Sequence, residues 1–134
     1  MLFGKDHVDR YVATDGAEGH DWRNGVPVLI LTTTGRRTGR QRSTPLIYGR
    51  DGDAYLVVAS QGGAPTHPAW YRNLQDNPEV AVQVRADRFA ARARTAHADE
   101  KARLWKTMTT VWPAYDDYQA KTDRPIPVVV LERV

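Results

Sequence analysis

The sequence predicts a mainly β, α+β fold: an antiparallel sheet closed into a small barrel with two to three flanking helices. Three observations lead there. Apolar, β-prone runs recur along most of the 134 residues and are joined by tight turns, Asp51-Gly52-Asp53 being the strongest. Val80, Val82 and Val84 alternate with Ala81, Gln83 and Arg85, the pattern of a half-buried strand. No strand–helix–strand rhythm occurs, which excludes a Rossmann-type domain.

The elements follow in order. Residues 1–25 are polar and mixed, broken by Gly16, Gly19, Asn24 and Gly25, and only a short helix near Asp6–Tyr11 is expected there. The remainder, 26–134, reads as a single barrel domain. Val26–Thr34 carries apolar side chains at both parities, so both faces of that strand are expected to be covered. Arg42–Arg50 and Ala54–Ser60 flank the Asp-Gly hairpin turn. After a loop over Gln61–His67, Pro68 suits the first position of a helix carrying Trp70, Tyr71 and Leu74, which Asn77-Pro78 ends. The valine strand pairs with Phe89–Ala96 across Ala86-Asp87-Arg88. A helix is expected from Ala98 to Val111, with Asp99 and Glu100 in its first turn and Ala102, Trp105, Met108 and Trp112 on one stripe. Pro113 opens a second short helix reaching about Lys121, and Ile126–Glu132 is the last strand.

Composition bounds the function. A net charge of +3 is a mild bias, and the arginines cluster at one turn without an aromatic stripe along a strand, so nucleic acid is not the expected partner. There is no cysteine, hence no disulfide or thiolate chemistry, and the four histidines form no His-x-x-x-His pair, so no metal site is expected. No Gly-x-Ser-x-Gly elbow or P-loop is present, and the adjacent carboxylates Asp99-Glu100 and Asp116-Asp117 point in different directions on a helix. No apolar run approaches the ~20 residues of a membrane span. A cytoplasmic protein is expected, with peripheral contact at the inner face of the cell membrane and a monomer or homodimer both left open.

Three segments are candidates for chemistry, although each taken alone also reads as a solvated turn, a strand-to-helix connection or core packing. Thr32–Arg42 is a glycine-punctuated turn with Arg36, Arg37, Arg40 and Arg42, suited to gripping phosphate or carboxylate through bidentate guanidinium contacts. Ala59-Ser60-Gln61-Gly62-Gly63 follows a strand, and its paired glycines let backbone approach a flat ligand. Trp112, Tyr115 and Tyr118 fall three apart, so a helix brings them to one face as amphipathic walls of a pocket. A planar ring with an anionic tail fits these features together, which is the shape of a flavin-type redox cofactor.

Those residues resemble the deazaflavin-dependent nitroreductase and quinone reductase family. The resemblance rests on Thr33-Thr34-Gly35-Arg36-Arg37-Thr38-Gly39, Ser43-Thr44-Pro45-Leu46, Ala59–Gly63, Pro68–Leu74, Tyr115–Gln119 and Thr122–Val130, in order, over about residues 26 to 132. It implies a split β-barrel of the flavin-reductase type that binds reduced coenzyme F420. Carried over by motif, Arg36, Arg37, Thr38 and Gly39 hold the acidic tail with Arg42 nearby. Pro45, Ala59, Ser60, Gln61, Gly62 and Gly63 frame the ring, and Trp70, Tyr71 and Asn73 close the pocket. Ile47, Trp112, Tyr115 and Tyr118 line the acceptor side, with a hydroxyl of Tyr115, Tyr118 or Ser60 meeting the acceptor oxygen. The implied reaction is hydride transfer to an electron-poor small molecule: a quinone, an α,β-unsaturated ketone or lactone, or a nitroaromatic. An FMN-dependent reductase on the same barrel and a non-catalytic F420 carrier are the alternatives. Three departures leave the acceptor open: Gln61 stands where the family often has Lys, Ile47 where a pocket tyrosine often follows Pro-Leu, and Trp112 where a tyrosine is frequent.

Overall fold

The computed structural model describes residues 2–134. Four α-helices and seven strands follow in the order α1 (Gly4–Ala13), β1 (Val28–Thr34), β2 (Gln41–Ile47), β3 (Gly49–Asp51), β4 (Ala54–Val58), α2 (Ala69–Asp76), β5 (Glu79–Val84), β6 (Asp87–Thr95), α3 (Ala98–Val111), α4 (Ala114–Ala120) and β7 (Val128–Arg133). The strands make one sheet in the order β2-β1-β5-β6-β7-β4-β3, and each pairing is antiparallel. The sheet curls until β2 lies near β4, closing a split barrel whose two ends are not laddered together.

The parity of burial explains the curl. In β1, Leu29 and Leu31 face the barrel interior, while Val28 and Ile30 pack under α1 with Tyr11. In β4 and β7, Tyr55, Val57, Val129 and Leu131 point inward. Their neighbours Leu56, Val58, Val128 and Val130 pack outward against Leu104 and Met108 of α3 and Tyr115 of α4. Both faces of these central strands are therefore covered, as the unbroken apolar run in β1 predicts.

Several boundaries differ from expectation for local reasons. The single strand expected over Arg42–Arg50 is two strands, because Tyr48 forms a corner whose N–H donates to the Pro27 carbonyl at 3.1 Å. That corner carries the chain from one end of the sheet, where β2 pairs with β1, to the other, where β3 pairs with β4. The N-terminal helix is longer than expected, because burial of His7 and Tyr11 one turn apart anchors it on β1. The hairpin between β5 and β6 is a tight two-residue turn, with Arg85 in the left-handed region and its N–H donating to the Tyr11 hydroxyl at 2.8 Å. On α3 the buried pair is Leu104 and Met108, whereas Ala102 is exposed and Trp105 and Trp112 are half-buried. Gly49 makes this orientation possible, since a Cβ there would lie 2.6 Å from the Met108 sulfur.

Candidate active site

Two recesses meet at Trp70, a residue of α2 that is 8% exposed and lines both. The first, of about 420 Å³, is walled by Pro45 and Ile47 of β2, Ser60, Gln61 and Gly62 of the following turn, and Trp112, Tyr115 and Tyr118. Its remaining wall comes from the N-terminal segment through Phe3, His7, Trp22 and Arg23. The second, of about 460 Å³, is lined by Arg36, Arg37, Thr38 and Arg42 together with Ser43, Thr44 and Asn73. β2 thus runs from the cationic recess, at Arg42, Ser43 and Thr44, to the apolar one, at Pro45, Leu46 and Ile47.

The cationic recess is built by the turn from Gly35 to Arg40. The Gly35 N–H donates to the Arg40 carbonyl at 2.7 Å, and the Gly39 N–H to the Gly35 carbonyl at 2.8 Å. Gly39 has φ +71° and Gly35 has no room for a Cβ beyond 3.0 Å from the Thr38 hydroxyl, so both positions favour glycine. Asn73, 4% exposed, fixes the turn to α2 and β1. Its Oδ1 accepts from the Arg36 N–H at 3.2 Å and from Arg36 Nη1 at 3.0 Å, while its Nδ2 donates to the Thr33 hydroxyl at 3.2 Å. Six arginines elsewhere (Arg10, Arg85, Arg88, Arg94, Arg103, Arg133) pair with carboxylates. Among the described residues Arg36, Arg37, Arg40 and Arg42 pair with none, so four guanidinium groups share one turn without a protein anion. Such a concentration of uncompensated positive charge suits an external anion.

In the apolar recess, the turn after β4 is held open by unusual backbone. Gln61, Gly62 and Gly63 are consecutive left-handed residues, at φ 45°, 63° and 86°. A non-glycine residue in this region carries strain that the surroundings must compensate. Arg124 does so: its Nε donates to the Ala64 carbonyl at 2.8 Å, Nη2 to the Ser60 carbonyl at 2.8 Å and Nη1 to the Ala59 carbonyl at 3.2 Å. Nη1 also meets His67 Nδ1 at 3.1 Å. Burial, and then the neighbouring guanidinium, lower the His67 pKa, which suits the neutral ring that accepts this bond. Gly63 packs on α4, where a Cβ would sit 2.6 Å from the Tyr118 carbonyl oxygen.

On α4, Tyr115 is 5% exposed and its rings neighbour Tyr118 at 6.0 Å and Trp105 at 6.3 Å. Desolvation raises its pKa well above the ordinary value, so the hydroxyl keeps its proton. No residue among those described bonds that hydroxyl, no fully buried side-chain oxygen or nitrogen among them lacks a partner, and Tyr115 lines the recess. Trp112 Nε1 donates to the Tyr118 hydroxyl oxygen at 3.3 Å, leaving the Tyr118 proton available to a ligand.

The chain from residue 3 to 133 matches the family of F420H(2)-dependent quinone reductases. It belongs to that family. It is 47% identical over 130 residues to an F420H(2)-dependent quinone reductase of Mycobacterium tuberculosis, the match covering 95% of this chain and 87% of that protein. A solved F420-H2 dependent reductase, FDR-A, superposes with a TM-score of 0.74 at 40% identity, over 79% of this chain and 94% of its own. A second solved relative, described as a domain-swapped dimer, gives 0.77 at 36% identity over 96% of both chains. Membership makes this chain an oxidoreductase whose cofactor is reduced coenzyme F420, on the split barrel that the resemblance implied.

The arrangement fits that cofactor: an apolar slot of ring dimensions joins a basin of unpaired arginines. Most residues singled out in the sequence are brought to these two recesses. Three are not. Tyr71 turns into the barrel, its hydroxyl 2.7 Å from that of Thr95. Ala59 is fully buried and Gly63 is covered by α4. Asn73 acts through Arg36 as well as lining the cationic recess. Tyr48, beside Ile47, points away from the recess and bonds His20 Nε2 at 2.8 Å, so it does not replace the tyrosine that Ile47 displaces. The N-terminal wall had only one sequence signal, Trp22 isolated among glycines and polar residues. Trp22 lies 6.0 Å from Trp112, ring to ring, and Arg23 sits over the Phe3 and Trp22 rings at 5.5 and 5.0 Å.

Proposed function

We propose that this protein reduces quinones with reduced coenzyme F420, and that the continuity of the two recesses through Trp70 is the observation that carries the reading. The cofactor supplies a hydride from C5 of its deazaflavin. Arg36, Arg37, Thr38 and Arg42 bind its acidic tail, and Trp70, Pro45 and the Ser60–Gly62 turn hold the ring against one wall. Tyr115, Tyr118 and Ser60 then present hydroxyl groups to the acceptor oxygen, where negative charge develops. Catalysis here would be largely positional: the recess walls would hold the acceptor carbon near the hydride that the cofactor supplies. The aromatic walls Trp22 and Trp112 favour a flat, ring-shaped acceptor over a small aliphatic one.

Enones, lactones and nitroaromatics share the electron-poor character of quinones and enter the same recess as secondary acceptors. A panel of menadione, cyclohexenone and a nitroimidazole, each assayed anaerobically with limiting acceptor, tests the order. The expected ranking by kcat/KM is menadione first. A nitroaromatic ahead of menadione, or an equal response to all three, contradicts the quinone reading.

A further inference from the structure

His7 is a buried titratable residue in the recess wall with no part in the account above. It is 3% exposed, it lines the acceptor recess, and its Nε2 lies 2.8 Å from the Gly19 carbonyl oxygen. A carbonyl only accepts, so Nε2 carries a proton and donates it. Gly19 is shaped for this contact: it has φ +106°, and a Cβ there would lie 3.0 Å from His7 Cδ2 and 3.1 Å from Nε2. The other ring nitrogen, Nδ1, has no partner among the described residues. No fully buried side-chain nitrogen among them lacks a partner, so Nδ1 is not sealed off, and His7 lines the recess. From His7 the wall continues through Trp22, 6.5 Å away ring to ring, to Trp112 and the Tyr118 hydroxyl. The recess therefore has polar groups at two separated places, His7 on α1 and the tyrosine hydroxyls on α4.

We infer that His7 is a catalytic residue that meets the second oxygen of a para-quinone and delivers its proton. The inference rests on the quinone reading above and assigns a selectivity to the same site. Each reduction consumes one hydride and one proton. As the acceptor takes the hydride from the reduced cofactor, Nδ1 passes a proton taken up from solvent to the oxygen gaining charge. The ring is neutral before and after, with its Nε2 proton on the Gly19 carbonyl throughout. A quinone, with oxygens at both ends of the ring, engages His7 and the tyrosines together. An enone, with one oxygen, engages only one of the two.

His7→Gln tests this with little change to the fold, since the Gln amide nitrogen stands in for Nε2 and keeps the Gly19 bond while removing Nδ1. Circular dichroism and thermal unfolding check that the variant is folded, and the dissociation constant for coenzyme F420 is measured beside them, so that a loss of cofactor binding is told apart from a lost acceptor contact. The kcat/KM for menadione is expected to fall about tenfold or more, the value of one hydrogen bond to a charged group, with cyclohexenone changing about threefold or less. Loss of the two activities in parallel, or no loss with menadione, overturns the inference. A second measurement needs no variant and no turnover: the His7 ring-nitrogen resonances of the wild-type protein should move when menadione alone is added. Unmoved resonances at saturating menadione also overturn it. If the wild-type protein neither binds nor oxidises reduced coenzyme F420, the functional reading fails, and the resonance measurement still decides whether His7 meets a quinone.

Discussion

Asn73 holds Arg36 through a single side-chain oxygen, 3.2 Å from the Arg36 backbone N–H and 3.0 Å from its Nη1. One buried amide thus sets both the path of the turn and the direction of its first guanidinium. With Thr33 on the other side of the same amide, β1, α2 and the arginine turn form one unit.

Replacing Asn73 by leucine breaks that unit. It leaves the Arg36 N–H and the Thr33 hydroxyl without their partner, a loss of about 1–3 kcal/mol of stability. The KM for reduced coenzyme F420 should rise about tenfold while kcat at saturation changes little, the signature of lost uniform binding. A variant whose KM stays at the wild-type value would separate Asn73 from cofactor binding.

Arg37 and Arg42 are exposed and make no ion pair among the described residues. Each Arg→Ala change is expected to weaken coenzyme F420 binding about 3- to 10-fold at low salt, with the difference shrinking as salt screens the charge. Titrations at two ionic strengths check it. Arg133→Ala, which removes an arginine already paired with Asp87, is the control and should leave affinity unchanged.

Tyr115 and Tyr118 are expected to act on the acceptor alone. Tyr115→Phe should lower kcat with menadione about tenfold or more and leave the cofactor's dissociation constant in place. Unchanged turnover with every acceptor would remove Tyr115 from the mechanism. Burial raises the Tyr115 pKa above 10.0 in the folded chain. Between the two values the unfolded chain binds fewer protons than the folded one, so Tyr115 makes stability fall as pH rises above about 10 and contributes no slope below it. Urea unfolding at pH 8 and above pH 10 should show a shallower alkaline loss in Tyr115→Phe than in wild type.

Among the described residues Arg124 has no acidic partner, and its guanidinium donates to three carbonyls, those of Ala59, Ser60 and Ala64. Lysine keeps the charge but cannot reach all three. Arg124→Lys should lower the melting temperature and weaken cofactor and acceptor binding together, because the left-handed run Gln61–Gly63 loses its support. Hydrogen exchange at Gln61–Ala64 is the direct readout, and exchange as slow as in wild type would contradict this role.

The two recesses were legible in the sequence to different degrees. The arginine turn is a local feature, so its residues announce the site wherever the strands place it. The sheet was legible too, since burial on both faces of β1 shows as a run of apolar residues at both parities. The N-terminal wall was not. His7 and Phe3 enter the recess only because Tyr11 and Val8 dock α1 on β1, a contact between segments that no local pattern reports. Tyr71 failed in the opposite direction: beside Trp70 on α2 it is a neighbour in sequence, but the 100° step between them turns it into the barrel.

Anaerobic oxidation of reduced coenzyme F420 by the purified protein, with menadione as acceptor, tests the central claim most directly. NADPH with FMN and menadione runs in parallel. The account predicts saturable turnover with the deazaflavin that needs both protein and quinone, and none above background with NADPH and FMN. Binding of coenzyme F420 without turnover would point to a carrier. Turnover with FMN, or no interaction with the deazaflavin, would contradict the assignment of the two recesses to this cofactor.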